Sequence, residues 1–122
     1  MSNILPRIII IIAVFFSGFS QSYSAGQAVE ILQGKIKTIL EKKSISVFLL
    51  DVDGSILDIA SPDGQGNFQI DPTVLDEPTY KNLVKLSLHI KNKKGTSKKY
   101  RISNNIAEFI DNKMKLSPLI FP

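Results

Sequence analysis

Turn-forming residues recur at short intervals from residue 44 onward, and this spacing limits the possible folds more than any other feature. The turns are marked by Asp53-Gly54, residues 62–66, Asp71-Pro72, Glu77-Pro78 and residues 94–96. Between them lie runs rich in Val, Ile, Leu and Phe, as expected of strands. Parallel strands need a crossover of about a dozen residues or more, and most of these intervals are too short for one. The spacing therefore predicts a small antiparallel β domain.

The clearest strand pattern covers residues 83–91, where apolar and polar residues alternate with a period of two. Such alternation places one face of a strand in a core and the other in water. Residues 97–103 alternate in the same way, and Gly95 between the two runs predicts a hairpin. Residues 67–71 form another half-buried strand. The continuous apolar run over residues 46–51 is typical of a central strand that is covered on both faces.

The two ends of the domain give less uniform patterns. Residues 28–42 have apolar residues at helical spacing, but residues 31–37 can equally form a first strand, and Gly34 would cost a helix about 1 kcal/mol. Residues 105–115 carry apolar residues on one helical face behind an Asn cap, which predicts a short C-terminal helix. Residues 116–122 form an apolar tail with prolines near both ends, and we expect it to dock as an extended segment.

Residues 1–25 are predicted to be a secretory signal peptide. Arg7 precedes an apolar run over residues 8–16, and small and polar residues follow, which is the three-part pattern of such a leader. The run is shorter than the roughly 20 residues that a membrane-spanning helix needs, so an uncleaved anchor is the less favoured alternative. Small residues allow cleavage after Ser24 or after Ala28. The processed chain would then be periplasmic or extracellular, without a stable membrane span.

The chain contains no cysteine, which excludes disulfides and thiolate metal sites. An exported domain over residues 26–115 must therefore rely on its hydrophobic core, with residues 116–122 as its tail. Only Arg7 of the 15 basic residues falls within residues 1–25, so 14 basic residues remain against 11 acidic ones. This small excess gives no argument for a nucleic-acid partner.

Three short motifs follow one another between residues 34 and 71: Gly34-Lys35-Ile36, Asp51-Val52-Asp53-Gly54 and Asp63-Gly64-Gln65-Gly66-Asn67-Phe68. In this order they resemble the carboxypeptidase-regulatory-like, transthyretin-type family of small β-sandwiches, and more loosely bacterial Ig-like and Cna-B-type repeats. The resemblance implies a Greek-key antiparallel sandwich and favours a strand over residues 31–37.

Members of these families are mostly non-catalytic modules that brace enzymes, form stalks or mediate adhesion. Cna-B-like domains sometimes carry a Lys–Asn isopeptide bond, but no spacing in this chain singles out such a pair. The chain departs from the family in two places. Its turn after Gly34 lacks the usual Pro/Gly-rich composition, and a helix is predicted where a final strand belongs.

The stretch from Val47 to Asp58 also resembles the opening of a haloacid-dehalogenase-type phosphatase. That resemblance makes Asp51 the nucleophile and Asp53 the general acid, with magnesium as cofactor. Ser103 and either Lys113 or Lys115 could supply the later motifs, but no acidic pair for the metal follows, because the last carboxylate is Asp111. The phosphatase is therefore the alternative. The preferred interpretation has no catalytic, cofactor or metal site, and it makes Asp-Gly a turn between antiparallel strands.

Six basic residues crowd into eleven positions of the predicted hairpin. They form either a solvated tip that discourages edge-to-edge aggregation, or a contact site for phospholipid headgroups, lipopolysaccharide or an acidic partner. The six are Lys91, Lys93, Lys94, Lys98, Lys99 and Arg101. His89, the only histidine, is expected to be a solvated strand residue.

The apolar tail supplies a second candidate contact, in which Leu119, Ile120 and Phe121 attach the domain to an envelope or surface protein. Taken together, the sequence predicts a mainly β, Greek-key sandwich with a short C-terminal helix. We expect it to act as an exported, non-catalytic binding or structural module of the bacterial cell envelope or surface. Its ligand would be a protein, a carbohydrate or an anionic surface.

Overall fold

Nine strands and one short α-helix make up residues 26–122, the part of the chain that the computed structural model describes. The predicted signal peptide, residues 1–25, lies outside the described residues. The elements are β1 Ile31–Lys37, β2 Ile45–Leu50, β3 Ile56–Ala60, β4 Asn67–Ile70, α1 Tyr80–Leu83, β5 Ser87–Asn92, β6 Ser97–Arg101, β7 Ile106–Ile110, β8 Lys113–Leu116 and β9 Leu119–Ile120. Single 3-10 turns occur at Lys42–Ser44, Pro72–Val74 and Ile102–Asn104.

The strands form two sheets that pack face to face. Sheet I has the order β4-β1-β8-β7, with β9 also paired to β1, and sheet II has the order β3-β2-β5-β6. After β3 and β4, the chain returns in β5 to pair with β2, which is the connection of a Greek key. The prediction of a mainly β sandwich is therefore confirmed.

Strand β1 resolves the alternative between helix and strand near the N-terminal end. It pairs antiparallel with β4 on one side, and parallel with β8 and then β9 on the other. Ladder hydrogen bonds on both sides override the weak helical spacing of its apolar residues, because a helix here could not bury them against two neighbours. Leu32 and Ile36 are buried, and Lys35 and Lys37 are exposed.

The predicted helix over residues 105–115 is wrong, because this segment forms the β7–β8 hairpin. The turn residues Asp111 and Asn112 have φ values of 54° and 63°, which is the type I′ conformation that joins strands by a two-residue loop. A helix cannot contain two such residues in succession. Pairing of β8 with β1 then buries Met114 and Leu116.

The hydrophobic core lies between the sheets and takes side chains from both. Its fully buried members include Leu32 and Ile36 from sheet I, and Val47, Leu88 and Ile90 from sheet II. Between residues 26 and 122 no polar or charged side chain is buried.

The apolar tail docks as an extended segment, as predicted. β8 and β9 follow one another along the same edge of β1, and Ser117-Pro118 interrupts them where the proline nitrogen cannot donate to a ladder. Past β9, the Phe121 amide donates to the carbonyl of Lys37 at 2.9 Å. The tail is therefore part of sheet I.

Candidate functional site

The six basic residues that were predicted to form a contact site lie in three different places in the structure. Lys91, Lys99 and Arg101 lie on the outer face of sheet II, where Lys99 stands opposite His89 and Arg101 opposite Ser87. Lys98 stands opposite the buried Ile90, and its Nζ lies 5.1 Å from the ring centre of Tyr100. Lys93 and Lys94 follow β5 in the turn of the hairpin. Only the first three share a sheet face.

Apolar side chains lie beside these cations on the same outer face. Phe48 is half-buried and stands between His89 on β5 and Ile59 on β3. Ile59 and Ile56 are 57% and 58% exposed, whereas Leu50 is buried although it does not belong to the core between the sheets. We call this surface the basic sheet face, which comprises Phe48, Leu50, Ile56, Ile59, His89, Lys91, Lys99 and Arg101.

Sequence reasoning missed the apolar half of this face. The continuous apolar run that becomes β2 was predicted to be covered on both sides, but Ser46 and Phe48 on its outer side are only half-buried. The sequence contained one indication of this: Phe48 stands between Val47 and Leu49, so in a strand its side chain must point to the opposite face from theirs. A run of apolar residues does not reveal which of its two faces lies against the second sheet.

The cations of the basic sheet face influence one another and the aromatic ring. The ammonium of Lys91 lies 5.6 Å from the ring centre of Phe48, within the range of a cation–π contact. Partial burial, and next the charges of Lys91 and Lys99, lower the pKa of His89 below its usual value. A groove of about 190 Å³ runs between these residues and is also lined by Leu50 and Ile56. The face therefore combines positive potential with apolar contact area.

Asp51 and Asp53 form the turn between β2 and β3. The Gly54 amide donates to the carbonyl of Asp51 at 2.9 Å, and the hydroxyl of Ser55 donates to Oδ1 of Asp53 at 2.6 Å. The hydrogen bonds from Ser55 lower the pKa of Asp53. β2 pairs antiparallel with both of its neighbours, unlike the parallel strands whose carboxyl ends carry the phosphatase site.

The other residues considered for phosphoryl chemistry are only partly brought together. Ser103 lines a cavity of about 490 Å³ that Asp51, Asp53 and Arg101 also line. Lys113 and Lys115 lie on β8, in the other sheet. Between residues 26 and 122 there is no group of three or more His, Asp or Glu side chains able to hold a metal ion.

The tail residues proposed to contact a partner are mostly committed to the core. Leu119 and Phe121 are buried, and the hydroxyl of Tyr100 donates a hydrogen bond to the carbonyl oxygen of Ile120. A partner could therefore reach the side chains of Leu119 and Phe121 only if the tail left sheet I, and their contact role stays a prediction. Ile120 is 61% exposed, and for it a contact role stays a prediction.

Comparisons with family models, with curated proteins and with solved structures found no match. Within residues 26–122, no helix has the length and apolar character needed to cross a membrane.

Proposed function

We propose that the protein is an exported, non-catalytic binding module of the cell envelope or surface, and that its basic sheet face binds an acidic segment of a partner protein. The observation that carries this proposal is that Lys91, Lys99 and Arg101 share one face of sheet II with Phe48 and with the exposed Ile56 and Ile59, which lie on β3 at the far edge of the sheet from β6. A lysine-rich hairpin that served only to keep the chain soluble would have no need of apolar neighbours.

The composition of the face suits protein recognition. Cations steer an acidic partner toward the surface and fix its orientation, whereas desolvation of apolar area supplies contact energy. Exposed isoleucines next to one another on a sheet are a liability unless a partner covers them. Phe48 is half-buried and Leu50 is buried, so packing already restrains the side chains on which this patch rests.

Site-specific photo-crosslinking in cells that express the full chain tests this function. A photoreactive residue at Ile59 should give a defined crosslinked product, and the same residue at Gln69, exposed on β4 of sheet I, should not. Reversing the charge of Lys99 and Arg101 to Glu should remove the product. Reversing Lys113 and Lys115, exposed on β8, should leave it. Equal crosslinking from both positions, or no effect of charge reversal, would refute the proposal.

Export is tested separately on the same chain. Its mature form should be recovered outside the cytoplasm, with its N-terminus at Ala25 or Val29 according to which predicted site is cleaved. Recovery of unprocessed chain from the cytoplasm would contradict the exported part of the proposal and leave the binding face to be judged on its own.

A further inference from the structure

A second surface, distinct from the basic sheet face, lies at one end of the sandwich. The loop between β1 and β2, residues 38–44, meets the β5–β6 turn there, because the Lys93 amide donates to the carbonyl of Ser44 at 3.1 Å. The C-terminal segment joins the same end through its hydrogen bond to Lys37. Three segments that are far apart in the sequence therefore form one surface.

Two isoleucines project from this end into solvent. Ile39 is 99% exposed, the highest value among the exposed large apolar side chains of residues 26–122, and Ile120 is 61% exposed. The pairing of β9 with β1 brings them to the same region, because Ile120 stands opposite Lys37 and Ile39 follows Lys37 by two residues. Leu40 packs against the core, and its amide donates to the hydroxyl of Thr38 at 3.1 Å. The loop thus holds Ile39 outward while its neighbour is anchored.

Four lysines belong to the β1–β2 loop and to the hairpin turn that meets it at this end. Lys42 and Lys43 belong to the β1–β2 loop, and Lys93 and Lys94 belong to the hairpin turn beside it. Glu41 is the acidic residue of the loop, and it lies 3.3 Å from the ammonium of Lys43. Four acidic residues follow strands at the opposite end of the sheets: Asp51 and Asp53 after β2, Asp71 after β4 and Asp111 after β7. Asp63, in the loop between β3 and β4, also lies toward the lysine-bearing end, because the amide of Ile36 donates to the carbonyl of Gly66 at 2.8 Å. The four lysines therefore outnumber the acidic side chains of Glu41 and Asp63 at this end.

We infer that this end docks on the surface of a bilayer that contains anionic phospholipids. Ile39 and Ile120 enter the boundary between headgroups and acyl chains, and Lys42, Lys43, Lys93 and Lys94 contact lipid phosphates. Protruding apolar side chains on a surface that also carries lysines suit such an interface, because lysines extend their charged ends toward headgroups while their stems lie on apolar surface. Each lysine near an anionic leaflet strengthens binding roughly fivefold. Docking at this end leaves the basic sheet face free for a partner.

Tryptophan fluorescence gives a direct test, since the chain contains no tryptophan. The full chain is expressed and purified with Ile39→Trp, and a matched variant carries Ile110→Trp, which replaces a side chain 59% exposed on β7. Every variant is prepared as the same full-length chain, so any effect of residues 1–25 on vesicle binding is common to all of them. Vesicles of phosphatidylcholine with phosphatidylglycerol should shift the emission of Trp at 39 to the blue and shield it from an aqueous quencher.

The Ile110 variant should show neither effect, and vesicles of phosphatidylcholine alone should change neither variant. An equal response at both positions, or a response at 39 that does not need phosphatidylglycerol, overturns the inference. No response at 39 overturns it as well. Two further outcomes identify another occupant and also overturn it: a blue shift that rises with protein concentration without vesicles, which indicates a second copy, or an equal shift with poly-glutamate, which indicates an acidic protein.

Charge variants separate this surface from the basic sheet face. Changing Lys42, Lys43, Lys93 and Lys94 together to Glu should weaken vesicle binding by at least roughly a hundredfold, because attraction becomes repulsion. The double variant Lys81→Glu with Lys113→Glu, both exposed on other parts of the surface, should bind within about twofold of the wild type. Lys99→Glu with Arg101→Glu should also retain vesicle binding. Loss of binding in either control would overturn the assignment to this end.

Discussion

Gly34 on β1 stands directly opposite Phe68 on β4, and the phenyl ring lies over the glycine on the inner face of sheet I. A Cβ added at position 34 would meet the ring carbon Cζ at 2.3 Å, which is too close for any real contact. The glycine is therefore needed for space. This explains why the glycine that weighed against a helix is also the residue that lets β4 pack closely on β1.

Gly34→Ala should lower the free energy of unfolding by about 1–3 kcal/mol, the usual cost of overpacking a core, measured by urea denaturation. Gly64→Ala is the control, because a Cβ there would meet nothing within 4 Å. Adding Phe68→Leu to Gly34→Ala should cost less than the sum of the two single changes. If the two single changes in unfolding free energy simply add in the double variant, the Phe68 ring is not the reason that position 34 needs a glycine.

The docked tail predicts an alternating response to alanine substitution. Leu119→Ala and Phe121→Ala should each destabilise the domain by about 2–5 kcal/mol, because both side chains are buried. Ile120→Ala lies between them and should change the stability by no more than about 0.5 kcal/mol. Thermal denaturation of the three variants checks this. Equal small effects at all three positions would show that the tail is loosely attached and free for a partner.

Much of the fold was predictable because local chemistry and tertiary pairing agree over most of the chain. The strands β5 and β6 and the turn at Gly95 follow from alternation and turn residues. The predicted start of the first strand was wrong, because the alternation begins at Leu83, whereas Leu83 belongs to α1 and β5 begins at Ser87. The β7–β8 hairpin was missed because its turn, Asp111-Asn112, lacks the glycine that usually marks a type I′ turn. Its apolar residues also fit a helical face. The strand expected by the family resemblance at this point was therefore the better guide.

The candidate site was only half predictable for a different reason. A cluster of lysines is visible in sequence, but strand register decides which of them share a face, and register depends on long-range pairing. The pairing of β5 with β6 places Lys99 outward and Lys98 on the opposite side. Ile39 and Lys93 are 54 residues apart, so their shared surface follows only from the assembled sandwich.

The phosphatase alternative predicts phosphate release from an aryl phosphate in the presence of magnesium. We expect none above the buffer blank from the wild type or from Asp51→Asn, because hydrogen bonds hold Asp51 and Asp53 in a tight turn between antiparallel strands. Both proteins are first shown to be folded by circular dichroism. Release by the wild type that Asp51→Asn abolishes would establish a catalytic role for the cavity shared with Ser103.

The lowered pKa of His89 predicts how the stability of the domain depends on pH. Partial burial and the neighbouring Lys91 and Lys99 hold its pKa in the folded protein below the usual value of 6.5, whereas the unfolded chain titrates near that value. As pH falls through 6.5, the unfolded state takes up a proton that the folded state does not, so the stability present above 6.5 declines until the folded pKa is reached. The Asp53 and Asp63 carboxyls, with lowered pKa values, act in a separate window near and below 3.8.

Urea denaturation at several pH values should therefore show a loss of stability below pH 6.5 that His89→Gln removes, with the acidic decline unchanged. The same histidine reports on the basic sheet face. An acidic peptide bound there offsets the charges of Lys91 and Lys99, so it should raise the pKa of His89, observed by NMR titration of the single imidazole. The rise should vanish in Lys99→Glu with Arg101→Glu. A pKa that is unchanged by a peptide shown to bind would place the contact on another surface.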